Sequence, residues 1–228
     1  MFLSPFAWFA FRLITGVCMA GLFLVTESWI NDIATNRTRG ELLSVYMVVM
    51  MAGMGLGQLL LNLADPHGFE RFVLVSVLIS LALVPMLLNV GRAPQFGTHE
   101  SISIRALYRA SPLGVVGGFS TGIAQACVFG TGAVFAKLIG MSVAQVSFLM
   151  TAFSLGAVVL QRPIGWLSDR IDRRKVIVAA CAASTALALI ALIASHSSVQ
   201  ALIITMMVYG AISVPLYSLF IAHTNDHL

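Results

Sequence analysis

Seven long apolar stretches restrict what this 228-residue chain can fold into: Phe6 to Ile30, Leu42 to Leu63, Phe72 to Val90, Leu113 to Ala136, Val143 to Ile164, Val176 to Ser195 and Val199 to Ala222. A hydrocarbon layer about 30 Å thick is crossed by about 20 helical residues at 1.5 Å each, and every stretch has that scale. Apolar residues make up 59% of the chain and charged residues 10%. Soluble domains carry about 25% charged residues, so this chain lacks the charge to cover itself in water. The expected fold class is therefore an all-α polytopic membrane protein with seven transmembrane helices.

The links between the stretches carry turn chemistry. Asp65-Pro66-His67-Gly68 follows the second, Gly91-Arg92-Ala93-Pro94 the third, Ser111-Pro112 opens the fourth, and His196-Ser197-Ser198 follows the sixth. The longest link, Gly91 to Ser111, divides the chain into three stretches and four. Pro85 and Pro215 lie within stretches and are expected kink points.

The net charge of +4 raises the question of a nucleic-acid partner, and the positions of the charges answer it. With the first loop placed inside the cell, Arg37, Arg39, Arg92, Arg105, Arg109, Arg170, Arg173, Arg174 and Lys175 all fall inside, and only Arg71 and Lys137 outside. Basic residues are retained on the cytoplasmic side, so the charge orients the chain and no nucleic acid is expected. The first stretch has neither a basic leader nor a small-residue cleavage site, and is not a signal peptide. Cys18, Cys127 and Cys181 lie inside apolar stretches and read as small packing residues, which excludes a disulfide scaffold. His67, His99, His196, His223 and His227 lie in loops or at the end, with no spacing suited to a metal. No enzyme constellation appears, and neither cofactor nor metal is expected. Asp226 and His227 read as loop residues rather than a dyad.

A cytoplasmic C-terminus after an odd number of spans puts Met1 outside, so the N-terminus reads as an internal position of a longer chain. An internal echo agrees. Sliding the sequence by 194 residues places Gly210 on Gly16, Leu216 on Leu22, and Asn225-Asp226 on Asn31-Asp32. A six-span repeat of this period matches the spacing between the halves of a twelve-span transporter.

Between the fifth and sixth stretches stands Gly165-Trp166-Leu167-Ser168-Asp169-Arg170-Ile171-Asp172-Arg173-Arg174-Lys175. Physically, Gly165 permits a tight turn, Asp169 can accept from a helix N-terminus, and the arginines can bridge to carbonyls or carboxylates of a neighbouring helix end. The run resembles motif A of the major facilitator superfamily, with Asp172 standing where that family usually has a second glycine. The position of the motif implies that these are family helices four to ten of a twelve-helix fold built from two six-helix bundles. Residues 1–91 would then be the last three helices of the N-terminal bundle, 92–111 the cytoplasmic linker, and 112–228 the first four helices of the C-terminal bundle. Arg12-Leu13-Ile14-Thr15-Gly16 resembles the family's fourth-helix R-x-x-x-G motif. Glu27-Ser28, Arg39-Gly40, Tyr46, Gly57-Gln58 and Arg162-Pro163-Ile164-Gly165 are similar to its YcaD-like branch. The Gly-Pro antiporter signature common in the family's fifth helix is missing, so transport direction is open.

The resemblance implies a secondary transporter of a small organic solute, coupled to protons and working by alternating access in the bacterial inner membrane. Arg12, six residues inside the first stretch, would face the central cavity; otherwise it snorkels outward with its stem in the apolar layer. Glu27 lies 15 residues further, about 22 Å along the helix, so the two cannot pair directly. It is either solvated or part of a gating network with Arg39 and Gly40. Met47, Met51, Met54 and Gln58 share one face of the second stretch, as cavity lining or as packing. The run Gly53-x-Gly55-x-Gly57 includes a small-x-x-x-small pair suited to close helix approach. Gly114, Gly118, Thr121, Gln125, Phe129 and Gly132 share a face of the fourth stretch, and Tyr209, Ser213 and Tyr217 follow one another on the seventh. By resemblance these two stretches line the transport cavity; equally, their polar groups satisfy one another between helices. The gating set implied by the motif is Arg39, Gly40, Gly165, Asp169, Arg170, Arg173 and Arg174.

Two other classes fit the span count. A seven-helix receptor or light sensor would have an outside N-terminus, but the last stretch has no lysine for retinal and motif A goes unexplained. A non-transporting membrane interaction protein is the other.

Overall fold

The computed structural model describes residues 4–34, 39–63, 68–88 and 103–226. Its helices are α1 (Pro5–Ile33), α2 (Arg39–Leu59, extended by a 3-10 turn over Leu60–Asn62), α3 (Glu70–Leu88), α4 (Ile104–Ala110), α5 (Pro112–Leu138), α6 (Val143–Arg170), α7 (Arg173–Ser197), α8 (Val199–Ser213) and α9 (Pro215–Asn225). Among the described residues, six stretches are long and apolar enough to cross a membrane: Pro5–Ile30, Val45–Asn62, Pro112–Leu138, Val143–Arg170, Arg173–Ser197 and Val199–Thr224. The third expected span is present as α3, but its apolar part is the shorter Phe72–Pro85, and the expected end at Val90 lies outside the described residues. The protein is an all-helical, multi-pass membrane protein.

Local chemistry sets the helix ends. Ser111 caps α5, its Oγ accepting from the Gly114 amide at 3.2 Å, and Pro112 occupies the first turn where no amide is needed. At the other end Gly140 adopts φ 86°, and the Met141 amide reaches back to the Ala136 carbonyl at 3.1 Å, closing the helix in a left-handed turn. Ser142 and Gln145 then form a reciprocal capping box that starts α6. The seventh expected span is two helices, because Pro215 has no amide to continue the ladder from α8, and it opens α9 instead. The expected linker carries the short α4, capped by Ser103.

Contacts divide the described residues into two units, one ending at Met47 and the other beginning at Val48. In the first, α1 shows Trp8, Phe9, Phe11 and Leu24 to its surroundings, as a lipid-facing helix does. The second contains the core, centred on α6, the most buried span. Gly156 of α6 lies against the Met207 carbonyl of α8, where an added Cβ would stand 1.9 Å from the oxygen. Gly210 of α8 reciprocates: a Cβ there would stand 2.1 Å from the Phe153 carbonyl of α6. The two backbones touch, which only glycine at both positions permits. Phe153, fully buried beside this contact, packs with Ala157 and Val214, and Met51 of α2 joins them. Met51 therefore belongs to packing.

The glycine pair expected to bring α2 close to a neighbour is offset by two residues. Gly53 and Gly57 have nothing within 4 Å of a built Cβ, whereas Gly55 would meet Ser154 Cβ at 3.3 Å. Two residues turn a helix by about 200°, so Gly55 faces α6 while its neighbours face away. Thr151 of α6 donates its hydroxyl to the Gly55 carbonyl at 3.0 Å.

Replacing Gly210 with alanine should lower thermal stability of the detergent-purified chain by about 1–3 kcal/mol through overpacking. Gly118→Ala, with open space at Cβ, should instead be neutral or stabilising by up to about 1 kcal/mol. Equal unfolding temperatures for the two variants would contradict the α6–α8 contact.

Candidate functional site

A cavity of about 480 Å³ lies inside the second unit, between α5, α7 and the broken α8–α9 span, with Phe153 of α6 in its wall. Thr121 and Gln125 enter from α5, Tyr209 and Ser213 from α8, and Leu216 and Phe220 from α9. α7 supplies Cys181, Ser184 and Thr185. Glycine again decides the geometry. Gly117 of α5 receives the Phe220 ring, whose Cε1 would be 2.1 Å from an added Cβ, and Gly114 receives the Thr224 hydroxyl. α5 and α9 are thereby drawn together. The Phe153 ring meets Phe129 edge-on at 5.4 Å and Tyr209 at 6.0 Å, which fixes the wall on which Tyr209 sits.

Of the expected solute-facing residues, Gln125, Tyr209 and Ser213 share this cavity. Tyr217 is outside its lining and 38% exposed. Val214 between α8 and α9 keeps helical φ and ψ, and Leu216 and Phe220 continue the Tyr209–Ser213 face at i+7 and i+11, whereas Tyr217 at i+8 falls about 80° round from Tyr209. Gln58 is half-buried on α2 and outside the lining. Arg12 is exposed on α1, its guanidinium 5.1 Å from the Trp8 ring centroid, and Glu27 lies in hydrogen-bonding reach of the Tyr46 phenol. Sequence reasoning missed the α7 contribution. Its signal was available, since Cys181, Ser184, Thr185 and Ala188 recur at helical spacing as a small and hydroxylic face.

The motif between α6 and α7 forms a second candidate site and corrects an expectation. Gly165 to Arg170, read as a loop, are the last turns of α6, and the turn itself is only Ile171 and Asp172. Gly165 is thus helical, with open space around it, and makes no tight turn. Asp172 replaces the family's usual glycine as N-cap of α7, accepting from the Arg174 amide at 3.0 Å. Its φ of −51° needs no glycine. Arg173 is clamped between two carboxylates: Nη2 donates to Asp169 Oδ1 at 3.1 Å, and Nη1 to Asp226 Oδ2 at the end of α9. Asp226 is therefore an ion-pair partner rather than a bare loop residue. Arg170 stacks on Trp166 at 3.9 Å, and Arg174 is exposed. Arg39 and Gly40 open α2, but the Arg39 side chain lies outside the described residues, as does His227.

The described residues thus combine helices long and apolar enough to span a membrane, a mostly apolar cavity between them that carries several hydroxyls and one amide, and a charged clasp at one end. The family model described as Major Facilitator Superfamily matches residues 114–228, and the chain belongs to that superfamily. It is similar to the protein named "Uncharacterized MFS-type transporter YcaD" of Escherichia coli O139:H28 (strain E24377A / ETEC) and of Shigella flexneri, 32% identical over 173 residues in each case. The same-named protein of Escherichia coli O9:H4 (strain HS) is 31% identical over 173 residues. The match covers 75% of this chain and 45% of each relative, so it spans less than half the length of these curated proteins. No solved structure matches the chain.

Asp172→Ala should destabilise the start of α7 by about 0.5–2 kcal/mol, whereas Asp172→Asn or Asp172→Gly should cost only a few tenths. Thermal unfolding in detergent measures the difference. Equal losses in all three variants would contradict the capping role.

Proposed function

We propose that the chain forms part of a secondary active transporter of a small organic solute, operating by alternating access in the bacterial inner membrane. The observation that carries this reading is the cavity that gathers Gln125 from α5 with Tyr209 and Ser213 from α8 between membrane-spanning segments. Residues 1–91 serve as the last three helices of one bundle, 92–111 as the cytoplasmic linker and 112–228 as the first four helices of the other. In this orientation the start is outside, and Arg170, Arg173, Arg174 and Lys175 face the cytoplasm. Proton coupling runs through Glu27, supported by its pairing with Tyr46, and Arg12 serves the solute or proton pathway.

The Asp169–Arg173–Asp226 clasp acts as a reversible cytoplasmic latch, with Gly165, Arg170 and Arg174 in the same motif, and Arg39 and Gly40 belong to the gating set by resemblance to the family. Its energetics suit that role. Both carboxylates are more than half exposed, and pairs of this kind contribute about 0.2–1 kcal/mol. A clasp of that strength biases an equilibrium without trapping it.

Uptake by the complete transporter in proteoliposomes, with and without a pH gradient, tests the reading. Asp169→Ala, Arg173→Ala or Asp226→Ala should lower turnover by about two- to fivefold with little change in KM, since each removes a bias of up to about 1 kcal/mol. Unchanged turnover would remove the latch.

A further inference from the structure

One end of the second unit carries exposed cations that neither the packing nor the clasp uses. Thr224 at the end of α9 meets Gly114 in the first turn of α5, and Asp226 meets Arg173 at the start of α7. The end of α6 and the short α4, one residue before α5, belong to the same end. Arg105 and Arg109 on α4, Arg170 on α6, and Arg174 and Lys175 on α7 are all exposed. The acids nearby are committed: Asp169 and Asp226 hold Arg173, and Asp172 caps α7. Among the described residues, none of these exposed cations has an ion-pair partner.

Apolar and aromatic side chains stand beside these charges. On α4, Ile104, Leu107 and Tyr108 share one side at i, i+3 and i+4, and Arg105 and Arg109 flank it. Ile104 is 81% exposed and Tyr108 is exposed, so that side is not packed against the bundle. Only Ser111 separates α4 from the apolar span α5, which holds α4 at the membrane surface. A helix placed there satisfies both its sides, the apolar one toward acyl chains and the arginines toward phosphates. On α6, Arg170 stacks on Trp166 at 3.9 Å, and the ring is 56% exposed with Ile171 exposed beyond it. An exposed indole with a cation one turn nearer the helix end matches the depth profile of a headgroup region.

We propose that this end of the second unit is a binding surface for anionic phospholipid. α4 lies in the interface, with Ile104 and Tyr108 among the upper acyl carbons and Arg105 and Arg109 on headgroup phosphates. Trp166 seats a second lipid at the glycerol level, and Arg170 donates to its phosphate. Arg174 and Lys175 add to the local positive potential. Charge complementarity selects the occupant: an anionic lipid supplies the acceptors that the committed aspartates do not, whereas a zwitterionic lipid brings its own cation to the same place. The surface is separate from the cavity and does not depend on the solute reading.

Quenching of tryptophan by brominated lipid reads which lipid stands at each place. With Trp8→Phe and Trp29→Phe, Trp166 is the single reporter on α6; adding Trp166→Phe and Tyr108→Trp moves the reporter to α4. In nanodiscs of the purified 228-residue chain, dibrominated phosphatidylglycerol should be preferred over dibrominated phosphatidylcholine by about fivefold at either reporter, the worth of one cation near the surface. Raising salt to about 0.5 M should bring the ratio toward one. Arg170→Gln should do the same at Trp166, and Arg105→Gln with Arg109→Gln at position 108, whereas Arg170→Lys keeps the charge and most of the preference. Lys137→Gln, in the last turn of α5 and so at its opposite end, is the control and should change neither ratio. Equal quenching by the two lipids at either reporter would overturn the surface, as would a preference untouched by loss of these arginines.

Discussion

The second unit depends on one backbone contact, the crossing of α6 and α8 where Gly156 meets the Met207 carbonyl and Gly210 meets the Phe153 carbonyl. In lipid there is no hydrophobic gain from bringing two apolar helices together, because the tails are as apolar as the side chains. Association rests on close packing, and two facing glycines allow the closest packing available. The contact then orders its surroundings. It buries Phe153 fully, Phe153 orients Phe129 and Tyr209, and Tyr209 and Ser213 form one wall of the cavity.

The same device recurs at Gly55 against Ser154 and at Gly117 against Phe220, so glycines rather than polar bonds set the helix spacings. Polar groups are left for two tasks. Many hydroxyls are satisfied within their own helix, and the charged groups of the motif gather at one end, where Arg173 ties the start of α7 to the ends of α6 and α9. The core is therefore strong and apolar, and the clasp is weak and ionic. That division suits a bundle that keeps its internal packing while its end contacts break and re-form.

Much of this was legible in the sequence. Span positions follow from apolar length, and the caps at Ser111 and Ser142 follow from residue type. The motif and its implied family follow from Gly165 to Lys175. What stayed hidden depended on rotation about a helix axis or on tertiary partners. Gly55 rather than Gly53 and Gly57 faces α6, and nothing local distinguishes the three. Tyr217 is outside the cavity lining because the face that begins at Tyr209 and Ser213 continues at i+7 and i+11 through Leu216 and Phe220, and the choice between i+7 and i+8 depends on which neighbours pack there. The helical state of Gly165 to Arg170 was obscured by their charges, which resemble a loop but extend α6 by more than a turn. Asp226 gained its role only from Arg173, 53 positions away in the chain. Ser184 was missed although α7 carries a small, hydroxylic face, because a buried serine in a span reads equally well as packing.

The central claim is that the described bundle holds an accessible cavity bounded by α5, α7 and the broken α8–α9 span. Cys181 lines it, while Cys18 and Cys127 are exposed elsewhere on the surface, so Cys18→Ser/Cys127→Ser leaves a single reporter. Ser120 is exposed and also lines the cavity, so a bulky side chain there obstructs it. Alkylation of Cys181 by N-ethylmaleimide in nanodiscs is the most direct measurement. The account predicts that Cys181 is modified in the folded chain and that Ser120→Phe slows the reaction several-fold. Equal rates with and without Ser120→Phe, or no modification until the protein unfolds, would contradict it.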